Sequence, residues 1–414
     1  MDDKINVNKT NMNENLEHKK AVLSAFSAER NKIADKGQDF PWVALLGSQE
    51  SKRKIYLEHA AKRLGLHVLF INWKAWGDAF WENWLEEHGE NGILKIDPPH
   101  WDSAVLDDLP ALMKDYRHHL LLLKQMAGTS NLSFFNCPED IFRLLDKRSC
   151  KARLFKAGLP VTEEVFSSTM TRRREYLCSA VSGTEEGNEP LITGAEELFA
   201  AMRAKAISQI FIKPNYGSGA LGVTAFRIQH RTGRMLLYTC AALDTHTRRL
   251  VNTRHLQRLE EPKEIVAILN QLLGLDCMFE RWYAKAEYQG LTYDLRAVVQ
   301  DGQVDFLLAR LSRGPITNLQ LNNHPLPVKD LNLPSSVLTL VHDICQNAIR
   351  LYPGIRSAGI DILLEKASLK PRIIEMNGQG DLIYQDIYHK NKIYQHQVQI
   401  LQGMQREMAQ KMLQ

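Results

Sequence analysis

Several features that narrow the class of a protein are scarce in this sequence of 414 residues. The six cysteines lie far apart and none forms a C-x-x-C pair, which argues against a disulfide framework or a zinc knuckle and favours a reducing compartment. No apolar run approaches the roughly 18 residues needed to cross a bilayer, and the polar start does not have the form of a secretory signal. The 52 basic and 48 acidic residues leave a net charge of only +4, which gives no support to nucleic-acid or membrane binding. These absences predict a cytoplasmic protein with neither kind of partner.

The chain divides into segments of different character. Residues 1–40 are polar, and we interpret them as a leader with too little apolar surface to offset the entropy of ordering. From residue 41 onward, VALLG, SKRKIYLEHAAKRLG and HVLFINW alternate as strand, helix and strand, and Gly65 closes the helix. This pattern indicates a β-α-β unit that opens a parallel layer. The polar, turn-rich sequence at 168–194 predicts a linker or insertion.

Two further groups of residues are candidate sites, one rich in tryptophan and one made of histidines. The sequence does not decide the role of either group. Tryptophans are concentrated between residues 73 and 101, where WKAWGDAFWENW fits amphipathic packing onto the sheet. The alternative is a lid or a substrate wall, because aromatic side chains often serve recognition. The pair His118–His119 and His389 are candidate bases or metal ligands, but none has the spacing that zinc or a catalytic triad requires.

A glycine-rich stretch, FIKPNYGSGALGV, places Lys213 at the end of an apolar strand and three glycines shortly after it. It lacks the G-K-[ST] ending of a Walker A loop, and the strand VTAFRI follows it where a dinucleotide-binding fingerprint has a helix. Two interpretations compete. The stretch is either a glycine-rich surface hairpin, or a strand that aims Lys213 at a phosphate and a loop whose amides close over it.

Two segments near the C-terminus, GIDILLE and RIIEMN, are predicted to be adjacent strands. They carry Asp361 on the first strand and Glu375 and Asn377 at the end of the second, where period-two alternation puts the last two residues on one face. A few oxygen ligands on neighbouring strands suit Mg²⁺ that keeps phosphate oxygens as its other partners. Lys147, at a predicted helix start, is a further candidate for phosphate recognition.

The order of these motifs resembles the ATP-grasp superfamily. From about Asn136 to Leu382, D-K with a helix and G-L-P is followed by I-K-P with a glycine loop, F-E-R, D-L-R, R…N-L, G-I-D and E-M-N. The chain looks most similar to a bacterial branch with Y-D-L-R and P-I-T-N-L signatures, and more distantly to ribosomal-protein and amino-acid carboxylate–amine ligases. The resemblance implies an α/β protein in which a pre-ATP-grasp layer (41–136) precedes two α+β subdomains (137–278 and 279–414) that clasp the nucleotide.

The resemblance also implies roles for individual residues. Lys147 and Lys213 would bind the phosphates of ATP, under a loop formed by Gly217, Ser218, Gly219 and Gly222. Glu280, Arg281 and Trp282 would line the adenine hinge, mainly through backbone groups, and Asp294 would touch the ribose. Arg296 and Arg310 would face the transferred phosphoryl group or an acyl phosphate, and Asp361, Glu375 and Asn377 would hold Mg²⁺.

The implied reaction is ATP-dependent ligation through an acyl phosphate, with ADP and phosphate as products. A carboxylate on a small molecule or peptide attacks the γ-phosphorus, and an amine or a thiol then displaces phosphate. A kinase that phosphorylates a hydroxyl would use the same nucleotide site, and a degenerate, non-catalytic ATP-binding scaffold is the third hypothesis. The sequence departs from the family on the substrate side, at Ile316-Thr317, at Asn322-Asn323 and in the turn N-G-Q-G-D-L. The carboxylate and the acceptor are therefore not identified by the resemblance.

Overall fold

The computed structural model describes residues 41–77, 79–100, 104–166, 192–217, 219–321, 323–380 and 391–412, without the side chains of Arg254 and Gln320. The predicted leader, most of the predicted linker, Trp101, Ser218, Asn322 and His389 lie outside these residues. The described chain forms three sheets with helices packed against them. The predicted α/β class is confirmed. No helix in the described part of the chain is long and apolar enough to cross a membrane.

The first sheet is parallel, with strand order β2-β1-β3-β4. Its strands and helices are β1 (Trp42–Gly47), α1 (Lys52–Leu64), β2 (Leu69–Asn72), α2 (Phe80–His88), β3 (Gly92–Ile96), α3 (Leu109–Met126) and β4 (Leu132–Phe134). The hydroxyl of Ser51 caps α1 by accepting a hydrogen bond from the Arg53 N–H (3.2 Å), and Gly65 ends the helix at φ 71°. The predicted β-α-β unit is confirmed. Helix α3 begins at Leu109, where Pro110 is compatible with a first helical turn.

The second sheet is antiparallel, with strand order β5-β10-β6-β7-β8-β9. Two helices precede it, α4 (Pro138–Leu145) and α5 (Lys147–Lys156). Its own elements are β5 (Glu164–Phe166), α6 (Ala195–Ala204), β6 (Gln209–Pro214), β7 (Thr224–Gln229), β8 (Arg234–Leu243), β9 (Leu250–Leu259), α7 (Pro262–Leu272) and β10 (Cys277–Arg281). Strands β6 and β7 pair antiparallel, so the glycine-rich stretch joins two strands of one hairpin.

The third sheet is also antiparallel, with strand order β14-β13-β12-β15-β16 and β11 paired to β12. Its elements are β11 (Glu287–Tyr288), β12 (Leu291–Gln300), β13 (Gln303–Ser312), β14 (His324–Pro327), α8 (Ser335–Arg350), β15 (Ser357–Leu364), β16 (Pro371–Asn377) and α9 (Lys392–Met412). Strands β12 and β13 are joined by a turn at Asp301 and Gly302, which both have positive φ (46° and 80°), as a two-residue turn of type I′ requires. Strands β15 and β16 are adjacent, as predicted. Short 3₁₀ helices lie at Trp73–Ala75, Leu106–Asp108, Leu319–Leu321 and Val328–Leu331.

Two elements do not follow the domain boundaries that the sequence predicts. Helix α9 returns to the first sheet, where Tyr394 and Val398 are buried together with Val43 and Leu57. Strand β10 belongs to the second sheet and ends at Arg281, so the boundary predicted after residue 278 falls inside a strand.

The tryptophan-rich segment forms an aromatic cluster on the first layer. The rings of Trp73 and Trp76 stack with centroids 5.5 Å apart, and Trp81 and His119 pack edge-on against Trp76 at 5.3 and 4.6 Å. Trp81 is buried. These ring contacts agree with the interpretation that the tryptophan-rich segment packs onto the sheet. The ring of His119 lies next to those of Trp73, Trp76 and His118.

Candidate functional site

A cavity lies between the second and third sheets, and many of the predicted site residues line it. Those on its wall are Lys147, Lys213, Gly217, Glu280, Arg281, Asp294, Arg310, Asp361 and Glu375. Other predicted residues of the described chain do not line the cavity, namely Gly219, Gly222, Trp282, Arg296 and Asn377. The cavity thus brings together residues more than two hundred positions apart in the sequence, from Lys147 to Glu375.

Strand β6 carries Lys213 into the cavity. Its side chain is buried, and its Nζ lies 2.9 Å from the Glu280 Oε2. Burial alone lowers the pKa of Lys213, but the carboxylates of Glu280 and Glu375 outweigh it and hold this pKa above its ordinary value. Lys213 is therefore a buried ammonium on the cavity wall, and not a surface residue of a hairpin.

Glu280 is at the centre of a buried ionic group that the sequence analysis did not predict. Its carboxylate accepts hydrogen bonds from Lys213, from the Thr162 hydroxyl (2.9 Å) and from Lys151. Burial raises the pKa of Glu280, but the two lysines overcome this effect and bring the pKa down to about 2. The available signal was the spacing of Lys151 from Lys147, because residues four apart share one face of a helix such as α5.

Lys147 begins α5 and contacts the start of the glycine loop. Asp146 caps this helix by accepting a hydrogen bond from the Ser149 N–H at 3.0 Å. The Lys147 Nζ donates to the Gly217 carbonyl at 2.5 Å and lies 3.3 Å from the Pro214 carbonyl. Burial lowers the pKa of Lys147, while the Glu375 carboxylate opposes that effect. The ammonium group is therefore close to both the loop and the acidic strand pair.

The loop after β6 depends on glycine. Gly217, Gly219 and Gly222 all have positive φ (105°, 72° and 63°). A Cβ on Gly222 would lie 2.8 Å from the Pro214 Cγ, so this position also requires the absence of a side chain. The Gly222 N–H donates to the Asn252 Oδ1 at 3.0 Å, which joins the end of the loop to β9.

The predicted acidic residues lie on adjacent strands, and their side chains have different partners. Asp361 and Glu375 are directly opposite each other across β15 and β16. The Asp361 carboxylate pairs with Arg310 at 2.9 Å and with Arg296, and burial raises the pKa of Asp361 against the opposing effect of these arginines. Glu375 has no side-chain hydrogen bond or ion pair within the described ranges, although it lines the cavity. The Asn377 Oδ1 accepts from the Gln379 N–H (3.0 Å), next to an adjoining cavity that also touches Gly217.

Asp361, Glu375 and Asn377 are the residues predicted to hold a metal ion. Among the residues that the structure describes, no cluster of three or more His, Cys, Asp or Glu could hold one. The predicted set consists of two carboxylates and one amide, all oxygen donors, which is the donor type that Mg²⁺ prefers. The Glu375 carboxylate, unpaired within the described chain, is the most available of the three, so the residues fit a hard cation that completes its shell with water or phosphate oxygens.

Arg310 is held in place by two acidic residues. Its Nε and one NH₂ group donate to both oxygens of Asp294, each at 2.8 Å, and the guanidinium also reaches Asp361. Asp294 is only 1 % exposed and also accepts a hydrogen bond from the Thr317 hydroxyl. The carboxylate predicted to touch a ribose is therefore occupied by protein groups. Arg296 lies behind Asp361 and has a buried Nε without a hydrogen-bond partner in the described structure.

Lys285 is a further cavity residue that sequence reasoning missed. Its Nζ donates to the Thr317 hydroxyl at 2.6 Å and lies 3.7 Å from Asp294. Burial lowers the pKa of Lys285 to about 8, an effect that Asp294 only partly offsets. In the segment WYAKAEY this lysine follows no recognisable pattern, so its location could not be predicted from the sequence.

The predicted hinge residues lie at the end of β10 and directly after it, and their surroundings differ. The Arg281 N–H donates to the Glu163 carbonyl at 2.8 Å, which pairs this end of β10 with the segment before β5. The ring of Trp282 packs against Phe211, with centroids 5.4 Å apart, and not on the cavity wall. Tyr283 takes a place on that wall instead.

No family model matches the sequence, and no curated protein matches it. Solved structures do match. The ATP-grasp ligase PsnB, complexed with minimal precursor, Mg and ADP, is 14% identical over 88% of this chain and 98% of its own, with a TM-score of 0.46. The macrocyclase MdnC from Microcystis aeruginosa, bound with precursor peptide MdnA, is 11% identical over 87% and 99%, with a TM-score of 0.48. D-alanine–D-alanine ligase from Bacillus anthracis is 10% identical over 90% and 99%, with a TM-score of 0.49. The chain is thus similar over most of its length to structures described as ATP-grasp and D-alanine–D-alanine ligases.

Proposed function

We propose that this protein is an ATP-dependent ligase of the ATP-grasp type, which activates a carboxylate as an acyl phosphate and transfers the acyl group to an amine or a thiol. The observation that supports this most is the set of basic side chains on one cavity wall, which includes Lys147, Lys213, Lys285 and Arg310. Buried cations attract a polyphosphate more strongly than exposed ones do, because the low local dielectric weakens their screening. The same wall also carries the carboxylates of Glu280, Asp294, Asp361 and Glu375, so its charges suit a polyphosphate that is bound together with a metal ion, such as magnesium-bound ATP.

The nucleotide would lie between the glycine loop and β10. Lys147 and Lys213 would bind its phosphates, and the amides of the loop that begins at Gly217 would close over them. The adenine would lie near the end of β10, where Arg281 and Tyr283 line the cavity. Glu280 would act through its side chain, because its carboxylate fixes the position of Lys213.

The phosphoryl group would be transferred beside the acidic strand pair. Glu375, with Asp361 and Asn377, would hold Mg²⁺, which when bound neutralises charge on the phosphates. Arg310, fixed by Asp294 and Asp361, would stabilise the negative charge that develops when the substrate carboxylate attacks the γ-phosphorus and ADP leaves. An amine or thiol then displaces phosphate from the acyl phosphate and loses a proton. Arg296 would support Asp361 from behind, since it does not line the cavity.

The nucleotide site can be tested by thermal unfolding with and without a magnesium-bound, non-hydrolysable ATP analogue. At about 100-fold over its dissociation constant, the analogue should add roughly 2.7 kcal/mol to the free energy of unfolding. The shift in melting temperature should shrink in Lys213→Ala. Lys366→Ala is the matched control, because Lys366 forms an exposed ion pair with Glu287 at 2.7 Å, and it should show the full shift. No shift in the wild type would overturn the proposed nucleotide site.

The chemistry can be tested without knowledge of the natural amine. The protein is incubated with ATP, Mg²⁺, a panel of amino acids and short peptides, and hydroxylamine, which traps an acyl phosphate as a hydroxamate. A ligase should release ADP and phosphate and form a hydroxamate with one class of carboxylate. A stable phosphoester with ADP release would identify a kinase and overturn the proposed ligation.

A further inference from the structure

The side chain of Gln379 joins the first layer to the turn that follows β16. It is buried, and both of its polar ends are bonded. Its Oε1 accepts a hydrogen bond from the Tyr116 hydroxyl on α3 at 2.9 Å, and its Nε2 donates to the carbonyl of Ile96 at the end of β3 at 3.0 Å. The side chain of this residue is therefore fixed by the N-terminal layer and not by the sheet to which it is connected in sequence.

The backbone of the same residue holds Asn377. The Gln379 N–H donates to the Asn377 Oδ1 at 3.0 Å, and the Gln379 carbonyl accepts a hydrogen bond from the guanidinium of Arg53 on α1. The Gly380 N–H closes the turn by donating to the Asn377 carbonyl at 3.0 Å. The N-terminal layer thus fixes the N–H group that orients the amide oxygen of Asn377.

We propose that Gln379 is a positioning residue for the metal site, which transmits the placement of the N-terminal layer to the Asn377 amide. The inference rests on the proposed function, in which Asn377 helps to hold Mg²⁺. An amide oxygen has two acceptor sites, so the Gln379 N–H occupies one and leaves the other for a cation. If the turn were not anchored, the Asn377 side chain would have to be ordered when the metal binds. The segment N-G-Q-G, residues 377 to 380, supplies the glutamine that provides this anchor.

The test measures metal binding directly. Mn²⁺ is titrated, by electron paramagnetic resonance, into the full-length protein saturated with a non-hydrolysable ATP analogue. In Gln379→Ala the affinity for Mn²⁺ should fall on the order of tenfold, as is typical when an outer partner of a metal ligand is removed. The affinity for the analogue in the absence of metal should not change. Tyr116→Phe removes one hydrogen bond and keeps the ring, so it should weaken Mn²⁺ binding in the same direction by a smaller factor.

Gln397→Met is the matched control. Gln397 is a buried glutamine in the same region between layers, where it lines a small cavity together with Gln379. Its Nε2 lies 3.4 Å from the Ser357 hydroxyl, and its Oε1 has no hydrogen-bond partner in the described structure. The control should bind Mn²⁺ like the wild type.

Three outcomes would overturn the positioning role. The first is a Gln379→Ala variant that binds Mn²⁺ as tightly as the wild type, and the second is an equal loss of Mn²⁺ affinity in Gln397→Met. The third applies if Gln379→Ala does not fold, and it is a Tyr116→Phe variant with the Mn²⁺ affinity of the wild type. A wild-type protein that does not bind the analogue would instead overturn the proposed function.

Discussion

The substitution Glu280→Gln tests the buried ionic group on the cavity wall. Glu280 accepts hydrogen bonds from Lys151, Lys213 and Thr162, and all four side chains are buried. Glutamine has nearly the same shape, so the substitution removes the negative charge without creating a cavity. Two ammonium groups would then lie close together with no carboxylate between them.

The depressed pKa of Glu280 gives the size of the expected loss in the free energy of unfolding. It falls from the ordinary 4.5 to about 2 in the folded protein, which at ~1.4 kcal/mol per pH unit corresponds to about 3 kcal/mol. Removing one partner of a buried ion pair costs about 3–5 kcal/mol in general, which agrees. Because the folded pKa is depressed, this stabilisation is present in full above the unfolded value. It is lost as the pH falls from about 4.5 towards 2, so the difference between wild type and variant should shrink over that range.

Urea unfolding at neutral pH measures the effect. Glu280→Gln should lose about 3 kcal/mol of unfolding free energy, with a lower midpoint and an unchanged slope. The control Lys151→Met leaves Lys213 and Glu280 as a pair of opposite charges, so it should cost clearly less. A loss below about 1 kcal/mol in Glu280→Gln, or an equal loss in the control, would refute the ionic explanation.

Two further perturbations test the cavity and the loop. Lys285 has a pKa of about 8 and is charged below that value. In calorimetry, the affinity of the wild type for the ATP analogue should therefore fall as the pH rises through about 8. The affinity of Lys285→Arg should not change over this range, because arginine stays charged. A wild-type affinity independent of pH in this range would contradict the role of this ammonium. Gly222→Ala should lose on the order of 1–2 kcal/mol for its positive φ, plus the effect of the contact with Pro214, and should bind the analogue more weakly. The control is Gly233→Ala, at φ 71° with open space around it, which should lose only the stability that the positive φ costs. Equal losses of stability in the two variants would show that the contact with Pro214 has no effect.

Local sequence patterns were sufficient for the elements that depend on neighbouring residues. Gly65 ends α1 through an effect that acts within a few residues, so the sequence predicted it. The Ser51 cap and the Asp301-Gly302 turn depend on equally local contacts. Alternation along β16 likewise placed Glu375 and Asn377 together at its end. These signals reflect backbone geometry, which is fixed by the residue types themselves.

The electrostatics of the cavity were decided by the tertiary structure. Lys151 and Glu280 are 129 positions apart, and their contact exists only because α5 packs against the end of β10. Arg296 and Arg310 look equivalent in the sequence, but the register of β12, β13 and β15 puts only Arg310 on the cavity wall. The sequence thus determined the elements and the residue types at the site, while the packing of the three sheets determined which charges meet. The physical reason is that burial and Coulomb interactions depend on distance in space, which separation along the chain does not encode.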